Sequence, residues 1–316
     1  MSEQLQVAAS AKKVLTQVGR VIVGKDSALV WVMAAILAKG HILLEDIPGV
    51  GKTTMALSFS KAMNLEYSRV QFTPDVLPSD VTGYSVIDQK TGALNYQKGA
   101  VLCNLFLADE LNRATSRTQS ALLEAMEEGQ VTVDGVTHKL PSPFIVLATQ
   151  NPTGAAGTSL LPDSQMDRFT IRLSLGYPEA KDEVAMVMDR RESNPLHSLT
   201  ALMNRDVLVA MQEEVAKTHI KEEVVTYIVD LINATRTSEN ILRGASPRAT
   251  LAVTAMSKAV AQLKGRDDVV PEEVREVFGK TVAHRLLLSP AAEGQGITPE
   301  QALETIVARV PSPNLR

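Results

Sequence analysis

The sequence predicts an α/β core built on a parallel sheet, followed by an all-helical C-terminal part, on three observations. A short apolar run, Ile42-Leu43-Leu44, leads into the glycine-rich turn Gly49-Val50-Gly51 and a helical pattern from Lys52 onward, the strand, turn and helix order of a phosphate loop. A second run, Asn104 to Ala108, ends in the paired carboxylates Asp109 and Glu110, as a central parallel strand does when its C-terminal end meets a ligand crevice. From Ala201 onward, over Ala201 to Lys217, Lys221 to Arg236, Pro247 to Leu263 and Pro271 to Leu287, the periodicity is helical, with no convincing strand.

Composition sets the limits. At 316 residues the chain has room for two domains, since single cores stop growing at about 250–300 residues. Hydrophobic residues make up 45% and charged residues 22%, the balance of a soluble globular protein. The net charge of −4 and pI near 5.8 give no global pull towards nucleic acid, so only a local basic patch would provide one. Cys103 is the sole cysteine; it excludes an internal disulfide and a cysteine-based zinc site, and within its apolar strand pattern it reads as a buried, inert thiol. Met1 to Gln6 lacks the charged and apolar regions of a signal peptide. The apolar run Val30 to Ala38 is about half the roughly 20 residues a membrane span needs, so a cytoplasmic protein with no membrane span is expected.

In chain order, residues 4–19 and Lys25 to Lys39 read as two helices, the second carrying Trp31 on a broad apolar face. Between them, Val21 to Gly24 is a short extended or turn segment that either flanks an adenine ring or packs as ordinary apolar chain, with Val23 and Gly24 as its candidate nucleotide contacts. After the phosphate loop, Met55, Ala56, Phe59, Ala62 and Met63 mark a helix face returning to the sheet, and Tyr67 to Phe72 is the next strand. Residues 73–99 are too broken by Pro and Gly for one long element and too long for an idle loop, so they read as a projecting insertion, a small hairpin or a helix. Ser116 to Glu128 is an amphipathic helix with Leu122, Leu123 and Met126 inward and Thr115 or Ser116 as its cap. Residues 130–140 alternate around Asp134-Gly135, a hairpin signal; His138 on it has no nearby metal-ligand partner and reads as a surface residue. Phe144 to Thr149 is a buried strand ending at Gln150-Asn151-Pro152, and Asp167-Arg168-Phe169 precedes a last strand, Thr170 to Leu173.

These residues carry chemistry in combination. Gly49 and Gly51 permit close backbone approach to a polyphosphate, Lys52 reaches the β- and γ-phosphates of ATP, and the Thr53 hydroxyl can sit on Mg²⁺. Contacts to the nucleotide are expected along Pro48, Gly49, Val50, Gly51, Lys52, Thr53 and Thr54. Asp46 stands where the full phosphate-loop pattern has glycine, the one mismatch. Asp109 would hold Mg²⁺ through its water shell and Glu110 would polarise the attacking water, a complement to the phosphate loop. Asn151 would orient water or contact the γ-phosphate, though an asparagine before proline also initiates turns. Arg168 has no evident intrachain task beyond Asp167, and such an exposed pair contributes little.

Together these landmarks resemble the MoxR group of AAA+ ATPases across nearly the whole chain. The resemblance is carried by Leu43–Thr54, Leu107 to Ala114, Thr118 to Gly129, Ala148 to Pro152, Leu161 to Phe169 and Gly244 to Arg248. It implies a P-loop AAA+ core with a five-stranded parallel sheet between helices over residues 1–185 and a helical lid over 186–316. Lys52 and Thr53 look like Walker A, Asp109 and Glu110 like Walker B, Asn151 like sensor 1, and Arg248 like sensor 2 on a helix whose start is signalled by Ser246 and Pro247. Arg168 looks like an arginine finger acting in trans on a neighbour's site. The segments 73–99 and 130–140 are similar to the helix-2 insert and pre-sensor-1 hairpin that face a client or a central pore. Tyr177-Pro178 to about Ser198 looks like the hinge, and charges such as Arg266-Asp267-Asp268 and Glu272-Glu273 look like a solvated face.

The resemblance further implies an ATP-hydrolysing, hexameric ring that remodels a protein client, with a von Willebrand factor A domain protein as partner and a role in assembling or activating a complex or metal-cofactor protein. A DNA-directed motor is the first alternative; the acidic pI, the lack of a DNA-binding module and the lack of a Gly-Ala-Phe-Thr-Gly-Ala loop stand against it. The second is a nucleotide-dependent scaffold with negligible turnover, which the presence of Glu110 opposes.

Overall fold

The computed structural model describes residues 6–47, 49–151, 161–189 and 195–314. Helices α1 (Val7–Gly19) and α2 (Asp26–Leu37) precede strand β1 (Ile42–Glu45) and helix α3 (Lys52–Ala62). Then come β2 (Tyr67–Gln71), α4 (Pro78–Thr82), and the antiparallel strands β3 (Gly83–Ile87) and β4 (Leu94–Lys98). They are followed by β5 (Leu105–Asp109), α5 (Ser116–Glu128), the hairpin of β6 (Gln130–Val133) and β7 (Val136–Lys139), β8 (Ile145–Gln150), α6 (Asp163–Met166) and β9 (Ile171–Leu173).

Five strands form one parallel sheet in the order β2-β5-β8-β1-β9. Strands β5 and β8 are buried along their whole length, which is why their sequences are continuous apolar runs rather than alternating ones. The two-residue period still sorts their side chains. Ile42, Leu44, Leu105, Leu107, Ile145 and Leu147 meet the helices α1 to α3, whereas Leu43, Phe106, Val146 and Ala148 meet α5 through Leu122, Leu123 and Met126. Thr115 caps α5 by accepting from the Thr118 N–H. Cys103 is buried, with its thiol pushed up to about 12 by burial; it sits in the bend before β5 rather than in the strand, because the chain enters the sheet only at Leu105.

The 73–99 insertion contains both a short helix and a hairpin. The 130–140 hairpin turns at Asp134 and Gly135, whose φ values of 51° and 79° are the two positive ones that a tight hairpin turn requires. These two projections touch: Tyr96 of β4 stacks on His138 of β7 with ring centroids 3.7 Å apart. His138 is therefore half-buried against the insertion instead of standing free at the surface.

The C-terminal part comprises α7 (Ala180–Asp189), α8 (Arg205–Lys217), α9 (Glu222–Thr237), α10 (Pro247–Leu263), α11 (Pro271–Val282), α12 (Pro290–Gly294) and α13 (Pro299–Arg309). The boundary expected between residues 185 and 186 falls inside α7, in a stretch expected only as hinge. Two small ladders depart from the strand-free expectation, β10 (His219–Ile220) with β12 (Asp268–Val269) and β11 (Ile241–Arg243) with β13 (Leu287–Leu288); at two or three residues each they are too short to leave a period in the sequence. The charges near the start of α11 are also not simply a solvated face. Glu273 is fully buried, accepting from the Val270 N–H at 2.9 Å and pairing with Lys264 at 3.2 Å and Arg266 at 3.0 Å, because as the third residue of α11, behind Pro271, it folds back to satisfy the N–H of the residue that precedes the helix. One apolar cluster runs from the sheet through α1 and α2 into α8, α10 and α11, and Gln212 of α8 donates to the Ile36 carbonyl at 2.7 Å.

Two histidines fasten this frame, His284 buried and His41 half-buried. His41 accepts from the Val146 N–H at 3.0 Å through Nδ1 and so donates from Nε2 to the Met126 carbonyl at 3.2 Å; burial lowers its pKa to about 4, and burial pushes His284 well below its ordinary value. An unfolded histidine takes up its proton near pH 6.5 while these folded ones stay neutral, so their contribution is complete above about pH 6.5 and is lost as the pH falls towards 4. Urea unfolding should show wild-type stability dropping between pH 7 and 5, by about 2 kcal/mol from His41 alone, with a shallower slope in His41→Gln; equal slopes would count against it.

Candidate nucleotide site

The sheet order brings the chemistry together. Strand β8 lies between β1 and β5, so the residues that come after their C-terminal ends share one edge: the phosphate loop after β1, Asp109 and Glu110 at β5, and Asn151 after β8. They line a single cleft of about 710 Å³ with Gly49, Val50, Gly51, Lys52, Thr53 and Thr54, a size suited to a small-molecule ligand. Val23 lines it too. Gly24 does not: its φ of +74° places it at a turn where a Cβ would stand 2.0 Å from Asp182, so its smallness makes room for α7 rather than for a ligand. Pro48 lies outside the described residues.

Gly49 and Gly51 have φ of +88° and +94°, and α3 begins at Lys52 with no side chain capping its first turn. Its leading N–H groups are left for an anion, reinforced by the positive end of the helix. Lys52 is buried and donates to the Asp46 carbonyl at 2.7 Å. Burial lowers its pKa, opposed by Asp46, Asp109 and Glu110.

Across the cleft, Asp109 accepts from Thr149 Oγ1 at 2.6 Å and pairs with Arg69 of β2 at 2.8 Å. The next residue, Glu110, is left-handed at φ 56°, ψ 44°, an uncommon conformation for a side chain of this kind. Its N–H donates to Thr149 Oγ1 at 2.8 Å, so one hydroxyl holds both acidic residues in place. The Glu110 carboxylate accepts from Arg113 at 2.8 Å and from Asn151 at 3.3 Å. The Arg113 hydrogen bond leads in holding its pKa low, with Asn151 adding to it. An ionised carboxylate beside an amide, opposite a lysine and a free helix start, is the donor and acceptor set for directing water at a phosphoryl group.

Thr53 and Asp109 offer only oxygen donors, which suits Mg²⁺. Among the described residues no group of three or more His, Cys, Asp or Glu side chains is arranged to hold a metal.

Arg168 and Arg248 do not line the cleft. Both meet Glu127 at the end of α5, Arg168 at 2.8 Å and Arg248 through Nη2. Asp167 is not the partner of Arg168; it is taken by Arg285, at 2.6 Å, and by Ser246. Arg285 and His284 both hold the Phe169 carbonyl, at 2.8 and 2.9 Å. The residues on each side of Arg168 are thus pinned and its own side chain is left to the surface.

Sequence reasoning misses the remainder of the cleft wall. Lys25, Tyr177, Pro178, Glu183, Met186 and Val187 line it, and the usable signal is the surplus of apolar residues in α7, where Val184, Val187 and Met188 stay more than half exposed. A second cavity, of about 770 Å³, lies between α2, β9 and helices α11 and α13. Of the residues expected to bind, only Gly24 borders it, so it is not the phosphate site.

Comparison with known proteins agrees with this geometry. Residues 41–171 match the family model of the ATPase family associated with various cellular activities (AAA), and residues 233–306 match the AAA lid domain. The chain is 42% identical to YeaC of Bacillus subtilis, an uncharacterised protein, over 95% of this chain and 94% of that one. It is 36% identical to the chaperone MoxR1 of Mycobacterium tuberculosis, over 96% of this chain and 82% of MoxR1. A crystal structure of a candidate ATPase from Cytophaga hutchinsonii superposes with a TM-score of 0.90 at 37% identity, covering 98% of this chain and 96% of that one.

Glu110→Gln should retain ATP affinity and lose turnover by roughly 100-fold or more, measured as phosphate release alongside equilibrium binding; unchanged turnover would remove Glu110 from the chemistry.

Proposed function

This chain belongs to the MoxR family of AAA+ ATPases, and from that premise we propose that it works as a ring of copies whose ATP hydrolysis remodels a protein client. ATP with Mg²⁺ occupies the cleft. Lys52 and the first turn of α3 bind the phosphates, Thr53 and Asp109 hold the metal, Glu110 directs the attacking water, and Asn151 orients Glu110 or the γ-phosphate.

One observation carries the ring: two arginines, Arg168 and Arg248, converge on Glu127 away from the cleft. A dissociative phosphoryl transfer develops charge that needs a cation at the γ-phosphate, and Lys52 is the only described arginine or lysine besides Lys25 that lines the cleft. A neighbouring copy supplies the rest. The ion pairs at Glu127 join groups that are 27–43% exposed, and pairs of that kind contribute about 0–1 kcal/mol, so exchanging the carboxylate for a neighbour's phosphate costs little. Six copies, a cytoplasmic location and a von Willebrand factor A domain partner complete the proposal. Its product is an assembled or activated complex or metal-cofactor protein. Exposed Tyr84, Ile87 and Leu94 of the insertion and Val136 of the neighbouring hairpin give a client an apolar surface to meet.

The shared site has a direct test. Arg168→Ala should bind ATP nearly as the wild type does and fail to hydrolyse it, and mixing it with Lys52→Ala should restore part of the turnover, because some interfaces then pair an intact phosphate loop with an intact arginine. Two inactive variants that stay inactive at every mixing ratio would refute the shared geometry.

A further inference from the structure

The departure from the phosphate-loop pattern at Asp46 has a structural reason. Its side chain is 5% exposed and accepts from three groups of one distant segment: the Leu175 N–H, the Gly176 N–H at 3.1 Å and the Ser174 hydroxyl at 3.1 Å. The same segment is held from its other side by Lys25, whose Nζ donates to the Leu175 carbonyl at 2.6 Å and the Tyr177 carbonyl at 2.8 Å. Immediately beyond stand Tyr177 and Pro178, then α7 with Glu183, Met186 and Val187, the wall of the cleft opposite the phosphate loop. Glycine at position 46 would leave three donors without an acceptor. Asparagine would turn an N–H₂ towards N–H groups, because only a carboxylate offers acceptors at both ends.

We propose that Asp46 is a positioning residue for the base and ribose of the nucleotide. Its carboxylate fixes residues 174–176 and so sets the wall formed by Tyr177, Pro178 and α7. Its carbonyl meanwhile holds Lys52, the group that must turn to the phosphates when they arrive. The two ends of the ligand are therefore read through one residue. This wall is where a base belongs: Val21, Ile22, Val23, Tyr177, Met186 and Val187 make that end of the cleft apolar, while the phosphates take the helix start. The proposal rests on the reading of the cleft as the ATP site.

The test compares ADP, which has a base, with inorganic tripolyphosphate, which has none, by calorimetry on the full chain. Lys52→Ala should weaken both ligands. Asp46→Gly, which completes the phosphate-loop pattern, should weaken ADP about tenfold or more without weakening tripolyphosphate, whose binding the loss of a negative charge beside Lys52 favours; Asp46→Asn carries the same expectation if the glycine variant does not fold. Hydrogen exchange should rise at the amides of Leu175 and Gly176 in the Asp46 variants, where they are freed. Equal losses for the two ligands, or no loss for ADP, would overturn the role of Asp46 alone. Failure of Lys52→Ala to weaken either ligand would overturn the reading of the cleft, and the role of Asp46 with it.

Discussion

Everything in the cleft depends on strand β8 lying between β1 and β5. Its register aligns Leu43 with Ala148 and Ala148 with Ala108, so the three chains leave the sheet at one level and deliver a phosphate loop, an asparagine and two carboxylates within reach of one ligand. This constraint is hydrophobic before it is catalytic. The inner strands are buried on both faces, and a slip of one residue would turn Phe106 and Val146 from the α5 side to the opposite side. Thr149 makes the consequence local. One hydroxyl at the end of β8 donates to Asp109 and accepts from the Glu110 N–H, holding the left-handed turn at Glu110 that directs its side chain along the cleft.

A site built this way has its carboxylates already paired, Asp109 with Arg69 and Glu110 with Arg113, and among the described residues only Lys25 and Lys52 line the cleft as cations. The carboxylates Asp46, Asp109 and Glu110 all act on Lys52, an arrangement that a polyphosphate with its metal would balance. In the proposed ring the further positive charge comes from Arg168 of a neighbouring copy. Burying a pair beside it would be costly, so the frame uses a different arginine for the buried work: Arg285, with a side chain 2% exposed, takes Asp167 and the Phe169 carbonyl, and Arg168 between those two residues keeps a partner that it can exchange.

How far the sequence discloses this differs by residue. The phosphate loop, the carboxylate pair and the parallel core are visible because each is local: an apolar run with polar residues at its end needs no knowledge of what packs on it. The hairpin at Asp134-Gly135 is visible for the same reason. Partners across the chain are not. Nothing near Arg168 points to Glu127, 41 residues away, and its neighbour Asp167 is the obvious but incorrect choice. Glu273 reads as one charge among several until the cap geometry folds it inward, although Pro271 three residues after Asp268 is a usable sign. In the same way α7 is not legible as a helix within the expected hinge, since a short helix that lines the cleft keeps its apolar residues exposed and lacks the sustained period of a core helix. Asp46 is legible only as a mismatch; its reason lies 128 to 130 residues further on, mostly in backbone N–H groups that no side-chain pattern encodes.

The polar interactions of the molecule fall into two groups by burial, and the division separates joints that must stay from contacts that must move. Asp46 on the 174–176 segment, Arg285 on Asp167, and Glu273 with Lys264 and Arg266 each place at least one charged group out of water. Removing one partner of the Arg285–Asp167 pair strands the other, at a cost of about 3–5 kcal/mol for a buried pair; Asp46 and Arg285 thus act as fixed joints across sheet, linker and helical part, whereas Glu273 ties α10 to α11 within the helical part. By contrast, Arg113 on Glu110 and Arg168 on Glu127 are pairs in which both side chains keep contact with water, 37% and 18% exposed in the first and 27% and 37% in the second. Solvent screens them, and each contributes about 0–1 kcal/mol. They occupy the carboxylates with partners that a metal-bound nucleotide or a neighbouring copy can displace at small expense. Arg172 shows the join between the two groups: half-buried, it links Glu45 at the end of β1 to Glu300 of α13. The strand that carries the phosphate loop is thus connected to the helical part through the pair Glu45 and Asp46, one acidic side chain reaching α13 and the other the linker. A ligand that draws Lys52 away from the Asp46 carbonyl acts at the point where both connections begin.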